Sequence, residues 1–458
     1  MKRSFTSTAA AQDKIVLVLY PDPVTGYPPV YARDSIPEIT SYADGTTTPS
    51  PSGRDFTPGD LLGCVSGELG LRKFLEDRGH TLVVTSDKDG ENCQLDQELK
   101  DAHYVISQPF YPAYITAERM ANAPNLKGAI TAGIGSDHVD LAAAQANNVD
   151  VSEVTFCNSI SVSEHVVMMI LGLVRNYMPS HQWIKDGGWN IADCVQRAYD
   201  VEGMKVGTVA SGRIGLAVLR RMHPFDCELH YCDRHRLPKE VEEELNLTHW
   251  DNWEDMVQEM DVVTLNCPLH PETEHMVNED TIKLFKKGTS STTSIVCRWV
   301  VGLLGRCVVV FVVFVVSVVL TLFYCSLLSL LLCCTGAYLV NTARGKLCDR
   351  DVIAKALDDG QLAGYAGDVW FPQPPPVDHP WRTMKWHGMT PHTSGTTLSA
   401  QTRYADGVRE ILENYFEGKE LRDEYQIVTN GQLAGVGARS YSEGNATGGS
   451  DKAVGSTK

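Results

Sequence analysis

Positive charge is scarce in this chain. Forty Lys and Arg stand against 57 Asp and Glu, a formal net charge of −17. That balance excludes a nucleic-acid backbone or an anionic membrane surface as partner. It does not exclude a small anionic substrate, because one arginine in a cleft can dominate the local field. Ordered cysteine spacing is missing too: the 13 cysteines contain no C-x-x-C pair, and no His/Cys/Asp cluster has metal-ligand spacing. No metal site is therefore expected, and the thiols should stay reduced inside a cell. Acids are absent from the first eleven residues, where Lys2 and Arg3 accompany several Ser and Thr. This is faintly like a mitochondrial leader; the expectation is a frayed terminus on a cytoplasmic protein, with a mitochondrial one as the alternative.

Acids are also missing between Asp280 and Asp349. Inside that gap, Ile295 to Cys334 holds 25 Val, Leu, Phe or Ile in 40 residues, and Cys307 to Cys334 is an uncharged run of 28. By length alone the run would cross a bilayer. Its position argues otherwise. Leu284-Phe285-Lys286-Lys287-Gly288 reads as a helix end, and Ala337 to Asn341 as the next buried strand. Such elements are joined by roughly 2–6 residues, and one crossing would part them by about 30 Å of hydrocarbon. Val, Leu, Phe and Ile share codons with a central thymine, so a translated pyrimidine-rich intron has this composition. Thr289 to Gly336 (48 residues) is therefore read as a retained intron, with a membrane hairpin or anchor as its rival. No membrane partner is expected unless that segment is expressed.

Elsewhere strand-like and helix-like runs alternate. Lys14–Leu19, Thr81–Val84, Tyr104–Ile106 and Gly128–Ala132 read as buried strands, and Leu71–Arg78 as a helix. Gly26 to Pro58 reads as a long wrapping loop, and Gly444 to Lys458 as a mobile end. Ser163 to Met178 is predicted to be a long helix opening on Ser161-x-Ser163-Glu164, a capped start. Lys205–Ala210, Arg213–Met222 and Glu228–Cys232 form one strand–helix–strand unit, Asp261–Leu265 is a further strand, and Ala400–Phe416 a returning helix. The pattern predicts an α/β fold with parallel sheets covered by helices.

Ala210-Ser211-Gly212-Arg213-Ile214-Gly215 follows a strand and opens a helix, the A-x-G-x-x-G form of a dinucleotide fingerprint. Gly212 would let the backbone approach a pyrophosphate, and Gly215 would allow close helix–strand packing. Asp233 falls 18 residues after Gly215, where a carboxylate accepts ribose hydroxyls and favours NAD over NADP. Arg234 beside it leaves some room for NADP. At the end of another strand, Pro268 and His270 lie on the cofactor side; His270 either touches the nucleotide or caps its loop.

Several motifs point further: Ser107-Gln-Pro-Phe-Tyr-Pro-Ala113, Ala132-Gly-Ile-Gly-Ser-Asp-His138, Cys157-Asn-Ser-Ile-Ser161, Asn341-Thr-Ala-Arg-Gly345, Gly367-Asp-Val-Trp-Phe-Pro-Gln-Pro374 and Thr390-Pro-His-Thr-Ser-Gly395. Together they resemble the metal-free, NAD-dependent formate dehydrogenases of the D-2-hydroxy-acid dehydrogenase superfamily. Where the hydroxy-acid enzymes pair their histidine with glutamate, this chain has Gln373. The resemblance implies two Rossmann-like domains, a homodimer and an active site in the cleft between the domains. The expected division is 1–158 (catalytic), 159–399 (NAD-binding, interrupted by 289–336) and 400–458 (the return helix and tail).

The same resemblance implies residue roles. Arg344 would clamp the formate carboxylate, Asn158 would donate to its other oxygen, and the backbone at Ile134 would complete the anion site. Pro109 and Phe110 would wall out larger acids. His392, held by Gln373, would orient and polarise without taking a proton. Asp368 would bind the nicotinamide carboxamide, helped by Ser394 and Gly395, and Ser159, Arg213, Ile214 and Thr342 would complete the cofactor contacts. The competing functions are a D-2-hydroxy-acid dehydrogenase and a catalytically silent NAD-sensing relative.

Overall fold

The computed structural model describes residues 12–20, 68–287, 336–435 and 438. The segments 26–58, 289–335 and 444–458, for which a loop, an insertion and a mobile end are expected, lie outside the described residues. The chain divides into two units, Met1–Asn158 with Gly395–Lys458, and Ser159–Ser394.

The first unit is built on a seven-stranded sheet. Its parallel strands are β1 (Lys14–Val18), β2 (Thr81–Thr85), β3 (Tyr104–Ser107), β4 (Gly128–Thr131) and β5 (Asp150–Glu153). Their order is β2-β1-β3-β4-β5, extended past β5 by two strands from the C-terminal part, Gln426–Thr429, antiparallel to β5, and the edge strand Gln432–Leu433, antiparallel to it in turn. Side chains alternate between two cores, as a strand buried on both faces requires. Ile15 and Leu17 pack with Tyr404, Val408 and Ile411 of the returning helix Leu398–Glu417, whereas Val16 and Val18 pack with Leu95 and Leu99.

The second unit carries β6 (Lys205–Val209), β7 (Glu228–Cys232), β8 (Leu247–Trp250), β9 (Val262–Leu265), β10 (Ala337–Asn341), β11 (Leu362–Gly367) and β12 (His387–Met389). All are parallel, in the order β8-β7-β6-β9-β10-β11-β12. The order reverses between β6 and β9, the topological switch point at which such sheets bind dinucleotides. One face is covered by the Ser159–Val174 helix, whose Val166, Ile170 and Val174 share a core with Val262, Tyr338 and Val340.

That helix departs from the predicted Ser163–Met178 at both ends. Ser161 and Ser163 are buried inside it, and the Ser163 hydroxyl donates back to Ile160 O at 2.7 Å instead of capping a start. The chain then breaks at Asn176, left-handed at φ 54°, before a second helix over Tyr177–Lys185. The expected helix end near Leu284 is a short 3-10 turn, Thr281–Leu284. Among the described residues no helix is long and apolar enough to cross a membrane.

The flanks of the apolar segment meet at the amino-terminal edge of the second sheet. Ala337 N donates to Lys286 O at 2.9 Å. With 289–336 removed, Lys286-Lys287-Gly288-Ala337 would be four consecutive residues, and this bond would be the closing i to i+3 bond of a β-turn with glycine at its third position. Lys286 is further fixed by Asp261, its Nζ lying 2.8 Å from Oδ1. β10, the strand leading to Arg344, keeps its pairing with β9 and β11.

Excising 289–336 is expected to leave a folded chain with higher soluble yield. A shortened chain that fails to fold, judged by far-UV circular dichroism and a cooperative melt, would contradict the turn. A second expectation concerns Ala210, which sits at φ 70° after β6. A left-handed non-glycine residue costs about 1–2 kcal/mol, so Ala210→Gly should stabilise by roughly 0.5–1 kcal/mol after glycine's larger unfolded-state entropy is counted. A higher urea midpoint at unchanged slope is the check.

Candidate functional site

In both sheets the expected site residues sit where parallel strands end. In the second unit the strand ends deliver Ser211 and Gly212 (after β6), Asp233 (after β7), Pro268 and His270 (after β9), Arg344 (after β10), Asp368 (after β11) and His392 (after β12). All lie on one edge because the strands are parallel and their carboxyl ends coincide.

The glycine-rich turn forms the first part. A Cβ on Gly212 would meet no atom within 4 Å, leaving its backbone open to an approaching group, whereas one on Gly215 would lie 2.1 Å from Ala210 O. Gly215 is thus required by helix–strand packing and Gly212 by the space it leaves. Arg213 and Ile214, both half-buried, open the helix Arg213–Met222 beside it. The Asp233 carboxylate accepts from Ser211 N at 2.7 Å and from His235 N at 3.0 Å, fixing the turn to the end of β7. These features suit a dinucleotide: an open glycine, helix amide groups and an acceptor at the next strand end. Two hydroxyls that the resemblance gives to the cofactor, Ser159 Oγ and Thr342 Oγ1, are buried with no hydrogen-bond partner.

His270 behaves as a loop cap. Its Nδ1 accepts from Glu272 N at 3.3 Å and its own N–H donates to Thr273 Oγ1 at 3.0 Å, while the Thr273 hydroxyl donates to Pro268 O at 2.8 Å.

The Gln373 amide lies against Nδ1 of His392, with Nε2 at 2.8 Å and Oε1 at 3.0 Å. A neutral amide can donate to that nitrogen or accept from it, but cannot take up a proton. His392 itself is left-handed, at φ 59°, and its loop is held by Asp368. That fully buried carboxylate accepts from the Thr390 hydroxyl at 2.5 Å and from Thr393 N and Ser394 N, both at 2.8 Å. Charge-assisted bonds of this kind contribute about 1.5–3 kcal/mol each. They stabilise a turn that the bare backbone would disfavour. The resemblance gives Asp368 to the cofactor; in this structure it also anchors the loop that carries His392.

Two residues without an assigned role join this network. His165, on the Ser159–Val174 helix, places Nε2 3.0 Å from Thr390 Oγ1 and 3.9 Å from Asp368. Burial pushes its pKa down, against the pull of the Asp368 charge. No spacing signals the pair, because 225 positions separate His165 from Thr390.

Arg344 follows β10 and is half-buried. Its Nη1 donates to Ala343 O at 2.8 Å, and the Asn341 side chain caps Arg344 O at 2.9 Å. The next residue, Gly345, is a requirement of packing, since a Cβ there would lie 2.4 Å from the Trp370 carbonyl carbon. The Arg344 turn and the Trp370–Gln373 stretch therefore approach backbone to backbone.

In the first unit, Pro109 and Phe110 follow β3, Ile134 follows β4 and Asn158 follows β5. A Cβ on Gly133 would lie 2.7 Å from Pro109 Cγ and Cδ, and Phe110 and Ile134 pack against the same core. These three are brought together. Asn158 stands against Gly395, whose would-be Cβ lies 2.7 Å from Asn158 Nδ2, and Asn158 Oδ1 is buried with no hydrogen-bond partner.

With this geometry, comparison with known proteins is informative. Residues 167–290 and 327–394 match the family described as D-isomer specific 2-hydroxyacid dehydrogenase, NAD binding domain, the match breaking inside the apolar segment. The chain is 62% identical to a formate dehydrogenase of Pseudomonas sp. (strain 101) over 96% of this chain and 98% of that protein. Among solved structures, a Granulicella formate dehydrogenase aligns at 55% identity and a TM-score of 0.75, covering 92% of this chain and 100% of that one. A Staphylococcus aureus NAD-dependent formate dehydrogenase, solved with NAD, aligns at 35% identity and a TM-score of 0.67, covering 91% of this chain and 99% of that one. The intact motifs, the fold and these likenesses together place this chain in the formate dehydrogenase family, within the D-2-hydroxyacid dehydrogenases.

Proposed function

We propose that this protein oxidises formate to carbon dioxide. Residues 159–394 would form the NAD-binding domain, and the first unit the substrate domain. Bound NAD supplies the hydride acceptor. The observation that carries the reading is the Gln373–His392 pair, at 2.8 Å. Oxidising a 2-hydroxy acid requires removal of a hydroxyl proton, which a His–carboxylate pair does and a His–amide pair does not. Formate is already ionised at neutral pH and has no such proton to lose.

The chain's own residues then position and desolvate. Arg344 clamps the formate carboxylate with its planar fork. Asn158 donates its amide N–H to the other oxygen, and the Ile134 backbone completes the anion site. Pro109 and Phe110 exclude water and larger acids. His392 orients the substrate while Gln373 fixes its ring. Gly212, Arg213, Ile214, Gly215 and Asp233 hold the dinucleotide, with Ser159, Pro268, Thr342, Ser394 and Gly395 along its length. Asp368 binds the nicotinamide carboxamide while holding the loop after β12, and His270 supports the loop after β9.

A homodimer is supported by a band of exposed apolar side chains on Tyr177–Val195, where Trp189 is 81%, Ile191 65% and Tyr177 61% exposed. Cytoplasmic residence is proposed on the seven free cysteines among the described residues, with mitochondrial residence as the alternative.

Arg344→Ala should lower kcat/KM for formate by about 10³-fold or more, the usual consequence of removing one partner of a buried charged pair, with little change in NAD affinity. Gln373→Glu should raise the His392 pKa, because the imidazolium gains an anionic partner. Below that raised pKa the ring is protonated, so activity should fall at neutral pH and recover as pH rises. A Gln373→Glu rate profile identical to wild type would show that the amide has no such role.

A further inference from the structure

Three strand-end carboxylates in this protein reach sideways to the loop after the neighbouring parallel strand. Asp233, after β7, holds the loop after β6, and Asp368, after β11, holds the loop after β12. The third is Glu153, the last residue of β5, and no role has been assigned to it. It is 4% exposed, and its Oε2 accepts from Gly135 N at 3.0 Å and from Ser136 Oγ at 3.1 Å. Ser136 Oγ is also 3.0 Å from Thr131 Oγ1, the residue opposite Glu153 in the β4–β5 register.

The loop so held runs from Gly133 to Ser136 and contains Ile134. Its two glycines have positive φ, 150° at Gly133 and 106° at Gly135. Such a stretch has high backbone entropy when unconstrained, and Gly133 packs directly on Pro109. An ordinary surface tether would not be buried, and a core glutamate with no function would more economically be apolar.

We propose that Glu153 is a positioning residue for formate: it fixes the Gly133–Ser136 loop so that the Ile134 backbone meets the carboxylate. This rests on the formate dehydrogenase reading. Glu153 acts on the substrate only through the loop, so its loss should act on formate and spare NAD.

The test compares Glu153→Ala and Glu153→Gln with wild type in the full chain. We expect Glu153→Ala to raise KM for formate by about tenfold or more, the loss of a charge-assisted bond to the loop, with a smaller effect on kcat and an NAD Kd within about twofold of wild type. Glu153→Gln keeps one acceptor oxygen and should fall between the two; it carries the test if the alanine variant does not fold. A folded variant with wild-type KM for formate overturns the proposal, as does a parallel rise in formate KM and NAD Kd. Absence of formate turnover in wild type overturns the functional reading and this proposal with it, whereas turnover with unaltered variants overturns this proposal alone.

Discussion

The structure depends on carboxylates that capture backbone N–H groups at the carboxyl ends of parallel strands. Parallel strands bring every loop to one edge, but they do not fix what those loops do. Two of these loops contain glycines or left-handed residues, such as Gly135 and His392. An ionised carboxylate next door binds their amides strongly enough to hold them, and it does so from a rigid platform. Asp233, Asp368 and Glu153 each play this part for a different loop. The buried charge is tolerated because the amides it binds compensate it.

The chemistry then follows from one neutral side chain. A glutamate at position 373 would let the histidine shuttle a proton, as hydroxy-acid oxidation needs. Gln373 fixes the His392 ring at 2.8–3.0 Å without that capacity. An amide partner does not stabilise an imidazolium as a carboxylate does, which suits a reaction that loses hydride and no proton. In the proposed mechanism, transition-state stabilisation comes from orientation, from the Arg344 guanidinium and from exclusion of water.

Much of this was legible in the sequence, for identifiable reasons. β1, β3, β4 and β10 are short apolar runs because both faces of a parallel strand are buried, and the glycine-rich turn announced itself between a strand and a helix. β5 did not: in Asp150-Val-Ser-Glu153 three of four residues are polar, with Asp150 accepting from Asn430 N far along the chain and Glu153 occupied by a loop from the neighbouring strand. The capping pattern at Ser161–Glu164 misled, since buried serines can satisfy themselves within a helix. His165 and Thr390 meet only through the fold. The motif marks Asp368, while its bonds to the Thr390–Ser394 loop appear only in three dimensions. The composition set 289–336 apart, and the Lys286–Ala337 bond shows that its flanks lie side by side.

The central claim is that hydride leaves formate for the nicotinamide with no proton transferred by His392. Deuterated formate tests it most directly, by following the label into reduced cofactor in ordinary water while measuring the isotope effect on kcat/KM across pH. The account predicts full retention of deuterium in the cofactor, with a primary isotope effect and no solvent isotope effect on the same step. Label lost to solvent, or a solvent isotope effect matching the substrate one, would contradict it.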